Sequence, residues 1–195
     1  MITDRDREII NFIDKIGFAT INHIADLFFN CNTFAYDLAR RRLKKIKENG
    51  NYLRSVYCSE INKLIYTPYD SKKINIKIHD IKLIDYLIKL KKLGCDIKEF
   101  ELFPHFNNIV PDMYLKFVFD GYEYYQLIEV QLRHDNVNLD RFMVEDNIKS
   151  ILTRCNNTLP TIVIVQDSRY IYENSYYDII KLNTNLNDIG KVFNL

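Results

Sequence analysis

Two carboxylates and an amide near the middle of the chain have the spacing of a divalent-cation site. Asp120-Gly121 is a strong signal for a two-residue hairpin turn. Counting back along both strands from that turn puts Asp112 opposite Glu129, with facing Cβ atoms about 4.5–5.5 Å apart. Gln131 projects from the same face of its strand as Glu129. Like charges this close are unfavourable unless water or a metal ion screens them, so the pair predicts a site for Mg²⁺ with water and phosphate oxygens.

The same carboxylates also have a purely structural interpretation. Asp112 directly follows Pro111 and can cap the start of its strand. Glu129 can form an ion pair with a nearby cation such as Arg133 or His134. A metal ion bound between the two carboxylates would distinguish the first interpretation from the second.

A run of cations forms a second candidate site. Residues 40–47 read Arg-Arg-Arg-Leu-Lys-Lys-Ile-Lys, and Leu43 and Ile46 belong to one apolar helix stripe. That stripe must face the interior, so most of the cations face solvent. A basic helix after a short helix and a turn can enter the major groove of DNA, where phosphate contacts release counterions. The run therefore predicts binding of double-stranded DNA, with an ordinary solvated helix face as the alternative.

The residues predicted to contact DNA lie on this helix and on the hairpin that follows it. The N-terminal part of the helix, which includes Asp37, should lie nearest the bases, and its later cations should contact phosphate. Cations on the hairpin should contact the backbone or the minor groove. The predicted set is Asn32, Thr33, Tyr36, Arg40, Arg41, Arg42, Lys44, Lys45, Lys47, Arg54 and Lys63.

The composition is that of a globular protein without a global bias toward nucleic acid or membranes. The chain has 195 residues, 47% of them hydrophobic, and a net charge of +1, although basic residues outnumber acidic ones within residues 1–70. The four cysteines have no zinc-ligand spacing and are expected to be free thiols. Neither a signal peptide nor a run of about 18 apolar residues is present, so we expect a cytoplasmic protein.

The pattern of residues 1–70 predicts three helices followed by a β-hairpin. Thr3 and Thr20 are helix caps, and Gly17 ends the first helix. Three helices with a short second one, followed by a hairpin, predict a winged helix-turn-helix domain over 1–70. The predicted elements are helices opened by Thr3 and Thr20, a helix from about Phe34 to Glu48, and strands Tyr52–Val56 and Lys63–Thr67.

Residues 71–195 predict a second domain, an α/β domain with a mixed sheet flanked by helices, so that the whole chain is α+β. The predicted order is α-β-β-β-α-β, with a further helix near the C-terminus. The predicted helices are His79–Leu93, Asn138–Arg154 and Ser175–Leu182, and the predicted strands are Ile97–Leu102, Met113–Phe119, Tyr122–Leu132 and Thr161–Gln166.

Pro111-Asp112 followed by Glu129-Val130-Gln131 resembles the PD-(D/E)xK nuclease core. The resemblance implies that Asp112 and Glu129 hold a metal ion, and that Gln131 stands where the motif has a lysine that activates water. It implies a metal-dependent endonuclease if another cation replaces that lysine. Candidate replacements are Arg133, His134 and Lys149, and candidates for an additional acid on the first helix of the domain are Asp80 and Asp85.

Taken together, the two halves resemble the replication-relaxation family of plasmid, phage and conjugative-element proteins. The matching segments are Thr3-Asp4-Arg5-Asp6, Ile21 to Phe29, Ala39 to Lys45 with Asn49-Gly50, His79-Asp80, Gly94, Pro111-Asp112, Leu127 to Val130 and Thr161 to Gln166. The resemblance implies a winged-helix domain fused to a restriction-endonuclease-like domain, acting in replication control or DNA relaxation.

Three functional hypotheses follow. The first is a sequence-specific DNA-binding protein of a mobile element, with replication or relaxase proteins as further partners and a homodimer on two-fold DNA sites. The second is a metal-dependent endonuclease that uses Asp112 and Glu129. The third is a protein-interaction platform in the second domain, formed by its aromatic residues Tyr124, Tyr125, Tyr170, Tyr172, Tyr176 and Tyr177.

Overall fold

The computed structural model describes residues 2–30, 32–71, 76–133 and 135–193. Within these residues the fold is mixed α+β, with five α-helices and two β-sheets of three and five strands. The chain divides into two units, Met1–Ile84 and Asp85–Leu195. The division falls within a helix, later in the chain than the predicted domain boundary at residue 70.

Unit 1 has three helices and a small antiparallel sheet. The helices are α1 (Asp4–Ile16), α2 (Ile21–Phe28) and α3 (Ala35–Glu48), and the strands are β1 (Ala19–Thr20), β2 (Leu53–Cys58) and β3 (Lys63–Pro68). The strand order is β1-β3-β2. The three predicted helices and the predicted hairpin are confirmed. Strand β1 was not predicted, because two residues show no alternation and only their pairing with Tyr66 and Ile65 defines the strand.

Local signals in the sequence explain where the helices of unit 1 begin and end. Thr3 and Thr20 each accept a hydrogen bond from a backbone N–H of the first turn, and the side chain at the third helical position bonds back to the cap. Gly17 ends α1 in the left-handed conformation, with φ of 89°. The apolar helix faces then meet in one core, whose fully buried members include Ile9, Ile13, Ile24, Leu43 and Ile46.

Helix α4 (Ile78–Lys92) contains the division between the units, and unit 2 continues with a five-stranded sheet. The strands are β4 (Asp96–Leu102), β5 (Met113–Phe119), β6 (Tyr122–Val130), β7 (Thr161–Val165) and β8 (Ile179–Leu182), in the order β4-β5-β6-β7-β8. Strands β4 to β6 are antiparallel, whereas β7 and β8 continue the sheet in parallel with β6. Helix α5 (Glu145–Arg154) connects β6 to β7.

The predicted hairpin of unit 2 is confirmed in turn type and in register. Asp120 and Gly121 both have positive φ, 49° and 80°, as a two-residue type I′ turn requires. Phe119 pairs with Tyr122 beside the turn, and the same register continues without a shift to Met113, which starts β5 and pairs with Ile128. This register determines which residues of the two strands lie side by side at the far end of the hairpin.

Two predicted helices of unit 2 differ from the structure. The predicted helix Asn138–Arg154 is interrupted at Val144, which is extended and separates a 3₁₀ helix, Asp140–Met143, from α5. The predicted helix Ser175–Leu182 was wrong, because residues 179–182 form strand β8. The apolar residues of this segment have a spacing that fits a helix, but its aromatic and β-branched residues also favour a strand. Pairing with the buried strand β7 decides between the two.

Candidate nucleic-acid interface

Helix α3 has a buried apolar side and an exposed basic side. Ala39, Leu43 and Ile46 have no exposed surface and pack into the core of unit 1. Their spacing of three and four residues puts them on one stripe, so the intervening residues must face solvent. As predicted, the exposed residues include most of the cations. They are Arg40, Arg41, Lys44, Lys45 and Lys47.

The ion pairs of these exposed cations are few and local. Arg40 lies 3.4 Å from Asp37, and Lys44 lies 3.8 Å from Glu48, in each case on the same helix and in solvent. Exposed pairs of this kind contribute about 0.3–0.5 kcal/mol, so they compete weakly with a phosphate group. The basic side of α3 therefore keeps its positive charge available to a ligand.

Arg42 differs from the other cations of α3. Its guanidinium group donates hydrogen bonds to both carboxylate oxygens of Asp6, and Nη2 also donates to Thr3 Oγ1 at 2.6 Å. Burial alone would raise the pKa of Asp6, but the hydrogen bonds from Arg42 and Thr3 outweigh it and hold this pKa below its usual value. Arg42 was predicted to contact DNA; in the structure its guanidinium group ties α3 to the start of α1, so we expect its main contribution to be to stability.

The start of α3 and the residue before it present two exposed aromatic rings. Asn32 accepts a hydrogen bond from the backbone N–H of Phe34 and forms the turn there, and Thr33 is exposed. Tyr36 is 50% exposed and Phe34 is 66% exposed. Phe34 was not among the residues predicted to contact DNA. The only signal in the sequence is that a large aromatic residue stands at the start of the helix without belonging to its apolar stripe.

The two cations on the hairpin of unit 1 differ in exposure. Lys63 is exposed and, with Tyr36 and Asn62, lines a 260 Å³ cleft beside the start of α2. Arg54 is only half-buried, but it donates hydrogen bonds to Thr67 Oγ1 and to the carbonyl oxygen of Ser71. Arg54 therefore holds the end of the hairpin, and contact of Arg54 or Lys63 with DNA stays a prediction.

A cleft between α1 and α3 adds a basic surface that the sequence analysis did not identify. The cleft has a volume of about 690 Å³. On its α1 side, the guanidinium carbon of Arg5 lies 5.2 Å from the centre of the Phe29 ring. We name this feature the α1–α3 cleft. The residues that line it are Thr3, Asp4, Arg5, Phe29, Leu38, Arg41, Arg42 and Lys45.

The predicted carboxylate site of unit 2 lies where the hairpin register predicts, but both carboxylates have protein partners. Asp112 Oδ2 accepts a hydrogen bond of 2.7 Å from the backbone N–H of Val130. Glu129 is 7% exposed and, among the described residues, forms an ion pair with Arg141. Of the two partners predicted for it, Arg133 is exposed and His134 lies outside the described residues. Arg141 comes from the 3₁₀ helix, which the sequence analysis did not foresee.

The other residues proposed for a metal site do not complete one. Gln131 Oε1 accepts a hydrogen bond from the backbone N–H of Arg133, and Lys149 pairs with Glu145 in solvent. Asp80 caps the start of α4 by accepting from the backbone N–H of Lys77. Among the residues that the structure describes, no group of three or more His, Cys, Asp or Glu side chains is placed to hold a metal ion. Asp112 Oδ2 and Glu129 Oε1 already accept from protein donors, so a metal ion bound between the two carboxylates would compete with Arg141 for Glu129.

A cleft in unit 2 has most of its charged side chains in contact with one another or with neighbouring backbone. It has a volume of about 750 Å³ and lies at the carboxyl ends of β7 and β8. Lys181 donates to Ser168 Oγ and to the carbonyl oxygen of Tyr170, and Lys191 pairs with Asp188 at 2.8 Å. Thr184 donates to Asp167 from its backbone N–H. The contacts of Lys181, Lys191 and Thr184 therefore hold the loops that follow β7 and β8 together, and the side chain of Arg169 is exposed in the same cleft.

Most of the described cysteines and two of the tyrosines singled out in the sequence are buried. Cys58, Cys95 and Cys155 are free thiols, as predicted, and Cys31 lies outside the described residues. Burial raises the pKa of Cys95 to about 11 and that of Cys155 to about 12, so both thiols stay protonated.

Two of the six tyrosines predicted to form an interaction surface in the second domain are buried. Tyr125 is 5% exposed and Tyr177 is 3% exposed, so neither side chain is available to a partner. Tyr124 stacks on Phe117, and the Tyr172 hydroxyl donates to Gln166 Oε1, which leaves Tyr170 and Tyr176 exposed.

No protein-family model matches the chain, and no curated protein sequence matches it. In the described part of the chain, every helix is too short or too polar to span a bilayer.

Proposed function

We propose that this protein binds double-stranded DNA through α3, and that unit 1 is a winged helix-turn-helix domain. The observation that carries the proposal is the contrast between the two sides of α3. Its underside is completely buried, and its outer side bears five exposed cations with only weak local partners. Such a helix is held rigidly and presents its charge outward, which is what insertion into a DNA groove requires.

The order of elements in unit 1 supports the same proposal. A short α2 precedes α3, and β2 and β3 form a hairpin directly after it, with Lys63 exposed on the third strand. The two-residue strand β1, which lies between α1 and α2 in the sequence, pairs with β3 of this hairpin. In this proposal the hairpin is the wing, and Lys63 contacts the DNA backbone beside the groove that α3 enters.

The proposed contacts divide into base-reading and phosphate-binding groups. Tyr36 and Phe34 are exposed at the start of α3 and can contact thymine methyl groups, and Arg40 can donate two hydrogen bonds to guanine. Asn32 and Thr33 flank them before the helix. The remaining cations bind phosphate, which gives affinity and orientation without sequence preference.

We propose further that unit 2 has a PD-(D/E)xK-like fold that does not cleave DNA. The succession from α4 through β4, β5, β6 and α5 to β7 supports the fold assignment. Asp112 and Glu129 hold the end of the hairpin and the 3₁₀ helix in place through Val130 and Arg141. This arrangement favours the structural interpretation of the two carboxylates over the endonuclease.

The resemblance to the replication-relaxation family extends the proposal to a biological setting. The protein would act at a site on a plasmid, phage or conjugative element, in replication, origin relaxation or transcriptional control. Replication or relaxase proteins and a second copy of the chain are then the natural further partners. A dimer would bind two half-sites separated by about one helical turn of DNA.

The proposal is tested by selecting bound duplexes from a random pool with the full-length chain. We expect enrichment of one sequence motif, and a mobility shift of the enriched duplex at physiological salt. Arg40→Gln combined with Lys44→Gln should weaken that shift, whereas Lys15→Gln on α1 should leave it unchanged. Selection without enrichment, with no shift for any duplex, would contradict DNA binding.

A further inference from the structure

We propose that the α1–α3 cleft binds the phosphates of one DNA strand, while the hairpin side of α3 contacts the opposite strand. This inference rests on the proposed DNA binding and assigns a role to Arg5, which lies outside the helix that carries the basic run. The ligand is the phosphodiester backbone of a duplex, recognised by charge and by guanidinium hydrogen bonds.

The exposed cations of α3 lie on two flanks of the helix. Arg40 and Lys45 are five positions apart, which corresponds to about 140° around the helix axis. Lys47 is two turns beyond Arg40 on the same flank, and its Nζ donates to Ser55 Oγ of β2 at 2.7 Å. Lys45 instead lines the α1–α3 cleft with Thr3 and Arg5. A helix inserted in a groove with a phosphate backbone on each side can therefore contact both backbones.

The cleft keeps an excess of positive charge after its internal pairs are counted. Arg42 is compensated by the buried Asp6, and Asp4 pairs with Arg7 at 2.8 Å. Arg5, Arg41 and Lys45 remain, and the only described hydrogen bond among their side chains is from Arg41 Nε to the carbonyl oxygen of Asp37. Within the described residues, the side chains of Arg5 and Lys45 have no ion-pair or hydrogen-bond partner.

The aromatic wall of the cleft holds Arg5 in place for an anion. Phe29 is 9% exposed, and its ring lies 5.2 Å from the Arg5 guanidinium carbon. Packing on a buried ring favours a limited range of Arg5 orientations while its N–H groups stay free to donate. Lys45 and Arg41 line the same cleft from α3. Three cations from two helices thus converge on one concave surface, as phosphate binding requires.

The test compares the double variant Arg5→Gln/Lys45→Gln with the control Lys15→Gln and with the hairpin variant Lys63→Gln. Lys15 is exposed in the last turn of α1, about 15 Å along the axis from Arg5. The probe is a 30-base-pair duplex carrying the selected site, ethylated at its phosphates and end-labelled on each strand in turn. Binding of the unethylated duplex is also measured from about 50 to 200 mM salt. Thermal unfolding checks that each variant is folded.

We expect ethylation to interfere with wild-type binding in two clusters, one on each strand. The double variant should lose the cluster on one strand, and Lys63→Gln should weaken the cluster on the other. The slope of log K against log salt should become less negative by about 1.8 in the double variant, because two phosphate contacts are removed. The control should keep the wild-type slope and both clusters.

Two outcomes overturn the inference in distinguishable ways. In the first, the double variant keeps the wild-type slope of log K against log salt and both clusters of ethylation interference, while Arg40→Gln/Lys44→Gln loses affinity. In that case α3 binds DNA in an orientation in which the α1–α3 cleft does not contact it. If the wild-type protein binds no duplex, the proposed DNA binding fails, and the role of the cleft fails with it.

Discussion

The two units each hold a cluster of charged side chains, and the clusters differ in how their charges are compensated. On α3, Arg40 and Lys44 are exposed and have only acidic neighbours on the same helix. At the end of the β5–β6 hairpin, Glu129 is buried and paired with Arg141, and Asp112 accepts from a backbone N–H. Charge that is already compensated stabilises the fold, whereas charge left in solvent is available to a ligand.

The same contrast occurs within α3 itself. Arg42 is consecutive with Arg40 and Arg41, yet its guanidinium group is occupied by a carboxylate that is 1% exposed. The neighbouring cations face solvent. The same substitution, a cation replaced by glutamine, can therefore be made at Arg42 and at the exposed cations of α3. Comparing the two separates the contribution of charge to stability from its contribution to binding.

The largest expected effect is on DNA affinity, from the variant Arg40→Gln/Arg41→Gln/Lys44→Gln/Lys47→Gln. At 0.15 M salt, counterion release contributes about fivefold in affinity per phosphate contact, so four lost contacts should cost about 10²–10³-fold. Fluorescence anisotropy with a labelled duplex measures the loss. The melting temperature should change little, because the substituted side chains are exposed. Unchanged affinity in a folded variant would remove α3 from the interface.

A smaller effect, on stability, is expected for Arg42→Gln. The substitution leaves the Asp6 carboxylate buried without its cation, and we expect a loss of about 1–3 kcal/mol in the free energy of unfolding, because Arg42 is partly exposed. Urea denaturation measures this loss. The salt slope of DNA binding should equal that of the wild-type protein. A reduced slope with unchanged stability would mean that Arg42 contacts DNA after all.

The pH dependence of stability should reveal the same ion pair. The pKa of Asp6 is lower in the folded chain than in the unfolded one, so its stabilising contribution is complete above about pH 4. It is lost as the pH falls through the folded-state pKa. The difference in unfolding free energy between the wild-type protein and Asp6→Asn should therefore shrink between pH 5 and pH 3. A difference independent of pH would argue that the Asp6 charge has no role.

The smallest expected effect is on DNA cleavage, where we predict none. Supercoiled plasmid incubated with Mg²⁺ or Mn²⁺ should remain uncut by the wild-type protein, by Asp112→Ala and by Glu129→Ala, as judged on agarose gels. The reason is that Arg141 and the Val130 N–H occupy the carboxylates. Nicking by the wild-type protein that either substitution abolishes would instead establish the endonuclease.

Local signals in the sequence account for the parts of the fold that could be predicted. The caps at Thr3 and Thr20, the glycine that ends α1 and the Asp120-Gly121 turn each act within a few residues. Strands β1 and β8 could not be predicted, because each is defined by pairing with a strand distant in sequence or by burial against it.

The candidate sites follow the same rule. The exposed side of α3 follows from the spacing of its apolar residues, and the approach of Asp112 to Glu129 follows from one turn. The partners Asp6 for Arg42 and Arg141 for Glu129 could not be predicted, because no periodicity links them. Spacing thus determines which face a charged residue occupies, and tertiary packing determines whether another residue neutralises it there.

The central claim is that α3 binds DNA through cations that remain unneutralised in the folded protein. The salt dependence of the affinity of the full-length chain for a duplex tests this claim most directly. If α3 contributes about five phosphate contacts, log K should fall against log salt with a slope of roughly −4 to −5. A slope near zero, or the absence of any measurable affinity at 50 mM salt, would contradict it.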